Sequence, residues 1–203
     1  MTLYRAFAVT GLLGLLVMGM SAAGDPCRSG LEPGQRPGPY SAVMSTGAKR
    51  GQSFCYICDT GDNPAVVVFA RSLNDPLARL IGRIDKALTE HPKAGLRAWV
   101  TFLSADQAAL DAKVVQWAQE HAIRGVPLGV FEDVDGPPSY RLSRDADVTV
   151  LLFVGRKVVA NYAFRKSELN EERTAEVMKG LPRILPAKED KVSAPEAPTK
   201  PVP

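Results

Sequence analysis

The chain has 203 residues, 45% of them hydrophobic and 23% charged, with a formal net charge of +3. That is room for one sizeable domain plus tails, and it is not the low-hydrophobicity composition of a disordered chain. The basic residues are scattered, with no Lys/Arg run and no basic stripe interleaved with aromatics, so nothing points to nucleic acid as a partner.

Taken in chain order, Arg5, the apolar run Ala6 to Met20 and the small residues Ser21-Ala22-Ala23 read as a signal peptide over residues 1–23. The apolar run falls short of the roughly 20 residues of a comfortable span. Contact with a membrane is therefore expected only through this segment, if it stays uncleaved. Asp25 and Pro26 before Cys27 do not suit lipoprotein processing. Export, periplasmic or secreted, would put the mature chain where disulfides persist. Cys27, Cys55 and Cys58 are the cysteines it carries. An odd count leaves one thiol free or paired to another molecule.

Residues 24–51 read as an N-terminal loop and edge hairpin: a Gly/Pro-rich leader, a short edge strand over Tyr40 to Met44, and a turn at Lys49-Arg50-Gly51. Residues 52–185 read as the domain proper. Pro64 to Ala70 is a continuous β-branched and apolar run, the pattern of a central strand buried on both faces. Asp75 is expected to cap the next helix, with Pro76 at its first position. Leu73, Leu77, Leu80, Ile81, Ile84 and Leu88 fall on one helical face, and His91-Pro92 ends the helix. Leu96 to Leu103 is a second strand. Ser104 with Gln107 makes a capping-box pattern for a helix that buries Leu110, Val114, Trp117 and Ala118. Val126 to Phe131 is a third strand, followed by a turn at Asp135 to Pro138 and a short helix from Ser139 to Leu142. Val148 to Val154 and Lys157 to Phe164 flank the turn Gly155-Arg156 as a hairpin, the second strand nearer an edge. Asn170 can cap a last helix. Residues 186–203 form a Pro-rich tail of mixed charge, expected to be disordered.

This element order resembles the thioredoxin superfamily, and most closely its peroxiredoxin-like branch and the exported thioredoxins of the bacterial envelope. Gly34 to Tyr40 resembles that branch's opening Gly-x-x-x-Pro-x-aromatic. Val126 to Gly136 with Tyr140-Arg141-Leu142 resembles its strand, turn and short helix. Val148 to Phe153 and Gly155 to Val159 resemble its hairpin. The resemblance implies an α/β thioredoxin-like fold, a central mixed sheet flanked by helices. It also implies a reactive cysteine just after the strand ending at Ala70, and a proline facing it just before the hairpin. Here those positions read Arg71 to Pro76, with no cysteine, and Val148. The active site is thus degenerate or displaced.

The Cys-x-x-Cys pair, Cys55 and Cys58, instead precedes the first central strand, which places it toward the opposite end of the sheet. Residues three apart in an extended strand are roughly 10 Å apart, too far for a disulfide, so a bond requires a tight turn at Tyr56-Ile57. Asp59 and Asp62 favour the neutral thiol, and Lys49 and Arg50 would offset them if the loop folds back. Three readings follow. The first is a binding or structural module of the envelope, lacking the usual cysteines and serving an unknown protein partner, with a Cys55–Cys58 disulfide. The second is an atypical thiol–disulfide oxidoreductase in cell redox homeostasis, with Cys55 attacking and Cys58 resolving as its catalytic residues. The third is a metal carrier, for which Cys27, His91 or His121 would have to join the pair. The Cys-x-x-x-Cys plus histidine of copper-delivering relatives is absent. No cofactor is expected and no metal ligand set is assigned. Trp99 and Trp117 read as core, Glu132, Asp133 and Asp135 as a solvated acidic turn, and Ser72 has no histidine partner for a hydrolase triad.

Overall fold

The computed structural model describes residues 25–186. The expected signal peptide over residues 1–23 and nearly all of the Pro-rich tail lie outside the described residues. Seven strands form one mixed sheet: β1 (Ala42–Met44), β2 (Ser53–Phe54), β3 (Ala65–Ala70), β4 (Arg97–Leu103), β5 (Leu128–Phe131), β6 (Val148–Val154) and β7 (Lys157–Phe164). Their spatial order is β2-β1-β5-β4-β3-β6-β7. β3 lies inside the sheet, parallel to β4 and antiparallel to β6. All six of its residues are buried, as a run without polar alternation demands. The expected edge strand at Tyr40 to Met44 is corrected: β1 sits between β2 and β5, and the edge falls to β2. β7 is the other edge.

Four α-helices join the strands: α1 (Tyr56–Thr60), α2 (Asp75–Glu90), α3 (Gln107–Glu120) and α4 (Glu171–Gly180). Two caps move from their expected places. Asn74, not Asp75, caps α2, its side chain accepting from the Leu77 N–H at 2.9 Å. Asp106, not Ser104, caps α3 through the Ala109 N–H at 2.9 Å. Ser104 instead accepts from the Asp106 N–H and fixes the turn ahead of the helix. In both cases the residue directly before the first helical turn has the side chain that reaches the free N–H. The Asn170 cap of α4 is found as expected.

Leu77, Leu80, Ile81 and Ile84 of α2 are buried, each stabilising the fold by roughly 2 kcal/mol through removal from water. They share one cluster with Val114 and Trp117 of α3, Val177 of α4, and Val66, Val100, Leu128 and Val150 of the sheet. The three long helices therefore cover one face. The other face carries the aromatic cluster of Phe69, Trp99, Tyr140 and Phe153. α1, a short 3-10 turn at Pro138–Tyr140 and coil lie over it, so helices flank the mixed sheet on both faces as expected, three on one and α1 on the other.

The leader is irregular but tied down. Leu31 is buried, the Asn161 side chain donates to the Ser29 and Leu31 carbonyls, and Val158 of edge strand β7 accepts from the Gly34 N–H and donates its own N–H to the Gln35 carbonyl. Tyr40 and Tyr140, both from the motifs behind the family resemblance, meet edge to face at 5.1 Å between ring centroids. The Tyr140 hydroxyl donates to the Gly38 carbonyl at 2.9 Å. The β6–β7 turn has positive φ at both Gly155 and Arg156, the two-residue geometry that matches strand twist.

Candidate functional site

The cysteines divide between the two ends of the sheet. At the carboxyl end of β3 the chain reads Arg71-Ser72-Leu73-Asn74 and enters α2. Here the side chains bond to one another. Arg71 donates through Nε to the Ala146 carbonyl at 2.9 Å, through Nη2 to the Ser143 carbonyl at 3.1 Å, and through Nη1 to the Val134 carbonyl. The Ser72 hydroxyl donates to the Asp147 carboxylate at 2.7 Å, and the Asn74 amide donates to the Ser72 oxygen at 2.9 Å. Asp147 directly precedes Val148, the residue standing where the resemblance implies a proline. Ser72 thus serves a carboxylate rather than a histidine. The polar groups at this end are spent on loop-to-loop bonding, with no thiol among them.

Cys27 lies at this same end. It lines a cleft of about 540 Å³ with Phe164, Arg165 and Glu168. Phe164 pairs with Val148, and Val148 pairs with Ala70. Cys27 is a free thiol. Partial burial pushes its pKa up; Arg165 opposes the shift, and Glu168 and Asp145 add to it. Cys27 is bonded to neither Cys55 nor Cys58.

Cys55 and Cys58 are bonded to each other, with Cα atoms 5.3 Å apart. The tight turn that bond requires is α1 itself. Cys55 is its N-cap, in extended conformation, and its Sγ accepts the Cys58 N–H at 3.2 Å. Cys58 is exposed and Cys55 half-buried. The pair sits at the amino end of β3, as its place in the sequence implies. The Asp62 carbonyl accepts from Gly155 N at 3.0 Å, and its carboxylate pairs with Arg156 at 3.1 Å, which ties the loop after α1 to the β6–β7 turn.

Aromatic contacts seat the motif on the sheet. Tyr56, between the cysteines, stacks on Trp99 at 5.6 Å and meets Phe54 edge-on at 4.8 Å. Beneath them, the Trp99 Nε1–H donates to the Tyr40 hydroxyl at 2.8 Å, which also bonds the Thr101 hydroxyl at 2.8 Å. Burial holds the Tyr40 phenol protonated, well above its ordinary pKa. The loop does fold back: Lys49 Nζ lies 5.2 Å over the Phe54 ring. Arg50 instead lines a separate cavity beside the end of α3. Of the two carboxylates after the motif, Asp62 is paired with Arg156, while Asp59 has no ion-pair partner among the described residues.

Sequence reasoning missed Asp147, which no motif marks because its partners come from another loop. It also missed the role of Tyr56, whose aromatic character between two cysteines was the available signal. Trp99 and Trp117 are core as expected. His121 lies 3.7 Å from Asp75, and His91 ends α2. Among the described residues no group of three or more potential ligands converges to hold a metal ion, so the metal-carrier reading gains no support. Asp135 of the acidic turn is held below the usual carboxylate range by its bond to Arg144. No described helix is long and apolar enough to cross a membrane.

No family model matches the sequence, and no curated protein matches it either. Solved structures do match. A candidate protein disulfide isomerase from Bacteroides thetaiotaomicron aligns at 16% identity and a TM-score of 0.58, covering 77% of this chain and 92% of that one. A candidate thiol:disulfide interchange protein DsbE from Chlorobium tepidum aligns at 15% identity and a TM-score of 0.52, covering 74% and 99%. A cysteine-to-serine mutant of PrxQ from Xylella fastidiosa aligns at 12% identity and a TM-score of 0.52, covering 75% and 96%. At these identities the likeness shows architecture and not chemistry. The chain has the thioredoxin-like α/β fold, with its Cys-x-x-Cys disulfide at the end of the sheet opposite the Arg71 turn.

Proposed function

We propose that this protein is a thiol–disulfide exchange protein whose reactive pair, Cys55 and Cys58, works from the amino end of the central strand in an exported setting. The observation that carries the reading is an exposed disulfide that joins residues only three apart, at the start of a short helix. A magnitude separates exchange from stapling. By the chain-entropy relation, closing a loop of about four residues constrains the unfolded chain by about 1.9 kcal/mol, against about 4.7 kcal/mol for a hundred-residue loop. A bond so local ties no distant segments together and is a poor staple. Its exposure leaves it open to an attacking thiolate.

The binding or structural module remains a second reading, favoured by a specific observation: the Arg71–Asp147 network fills the turn where related folds would carry their thiol. On that reading the disulfide only shapes α1 for a protein partner. Equilibration of the mature protein with glutathione separates the two. A reduction potential in the range of about −120 to −230 mV supports exchange, and one below about −300 mV rejects it in favour of the module.

A further inference from the structure

We infer that, when the pair takes electrons from a thiol, Cys58, the second cysteine of the motif, is the sulfur the incoming thiolate attacks, and Cys55 is the sulfur expelled. This assignment rests on the exchange reading above and reverses the roles that the sequence reading gave the two cysteines.

Two observations point the same way. The first is access: Cys58 is exposed, whereas Cys55 is half-buried where β2 runs into α1. Exchange depends on which sulfur a thiolate can reach. The second is the leaving group. The Cys58 N–H donates to Cys55 Sγ at 3.2 Å, and no hydrogen bond to Cys58 Sγ is found among the described residues. A hydrogen bond to the charged form of a thiol lowers its pKa, and a lower-pKa thiol leaves faster. Attack at Cys55 would require approach to the less exposed residue and expulsion of the sulfur without a donor. Access and leaving ability therefore both favour attack at Cys58 with Cys55 expelled, while the net direction of exchange follows the reduction potential of the pair.

The step balances within one turnover. A substrate thiolate forms a bond to Cys58 Sγ as the Cys55–Cys58 bond breaks, and Cys55 departs as a thiolate that takes a proton from solvent. A second substrate thiolate attacks the substrate sulfur of the mixed disulfide and releases Cys58 as its thiolate. Two substrate thiols become one disulfide, and the protein pair is reduced by two electrons.

The test mixes the oxidised full chain with reduced glutathione, quenches at short times with N-ethylmaleimide, and maps the modified peptides. Glutathione on Cys58 with maleimide on Cys55, in large excess over the reverse, is the expected result. Glutathione on Cys55 with maleimide on Cys58, or an even split, overturns the assignment. A disulfide that stays intact under excess glutathione, with no maleimide on either cysteine, rejects the exchange reading itself, and the two failures are told apart by that label. In the reduced protein, Cys55 should alkylate with a lower pH midpoint than Cys58. Equal or inverted midpoints would remove the leaving-group half of the argument.

Discussion

The two ends of the sheet use polar chemistry in opposite ways. At the carboxyl end of β3, Arg71, Ser72, Asn74 and Asp147 are partly buried and satisfied by one another or by backbone carbonyls. At the amino end, a disulfide stands exposed on an aromatic seat made by Phe54, Tyr56 and Trp99. The first end resembles a joint and the second a presented group. Hydrogen bonds to charged groups in a part-buried setting stabilise most when every partner is present, and removing one strands the rest. An exposed disulfide over a short loop contributes little stability yet stays reachable. Polar packing thus occupies the carboxyl end of β3, and the Cys-x-x-Cys disulfide stands toward its amino end.

Breaking the joint should give the largest effect. Arg71→Ala removes three donors to the Ala146, Ser143 and Val134 carbonyls and should cost about 3 kcal/mol in urea unfolding. The reduction potential of Cys55/Cys58 should not move. A potential that shifts along with stability would mean the two ends are coupled. Asp147→Ala, which strands the Ser72 and Asn74 donors, should cost about 2 kcal/mol by the same measurement.

Replacing both Cys55 and Cys58 with serine should cost no more than about 2 kcal/mol while abolishing exchange through the pair. A loss near 5 kcal/mol would show the bond to be a structural staple after all. Tyr56→Ala removes the stack on Trp99. It should cost about 1 kcal/mol beyond the buried area lost and alter the Trp99 fluorescence that reports on α1.

The smallest effect is a pH dependence at Cys27. Its folded-state pKa is raised, chiefly by burial. A neutral thiol in the native state binds a proton that the unfolded chain releases first, so stability should fall slightly as pH rises past the ordinary thiol range. Alkylation of Cys27 should accordingly need a higher pH than an unperturbed thiol does. A lowered midpoint would assign the dominant influence to Arg165.

Much of the fold was legible in local pattern. The unbroken β-branched and apolar run at Pro64 to Ala70 fitted a strand buried on both faces, and β3 is one. The spacing of Leu77, Leu80, Ile81 and Ile84 could only be a helix laid on it. Gly155-Arg156 between two apolar runs marked the hairpin. Caps were less legible, since Asn74 and Asp75, or Ser104 and Asp106, offer equivalent side chains one or two residues apart. Which of them caps depends on where the backbone turns.

What the sequence by itself determined was the order of elements, the absence of a thiol after β3, and the place of the Cys-x-x-Cys pair before it. Those are properties of neighbours along the chain, set by hydrophobic period and covalent order. The tertiary structure alone decided that Asp147 closes the Arg71 turn, that Cys27 lies at the end away from the pair, and that Cys58 is more exposed than Cys55. Each of these depends on segments brought together across the sheet, and a one-dimensional pattern holds no information on which side chains such folding will set face to face.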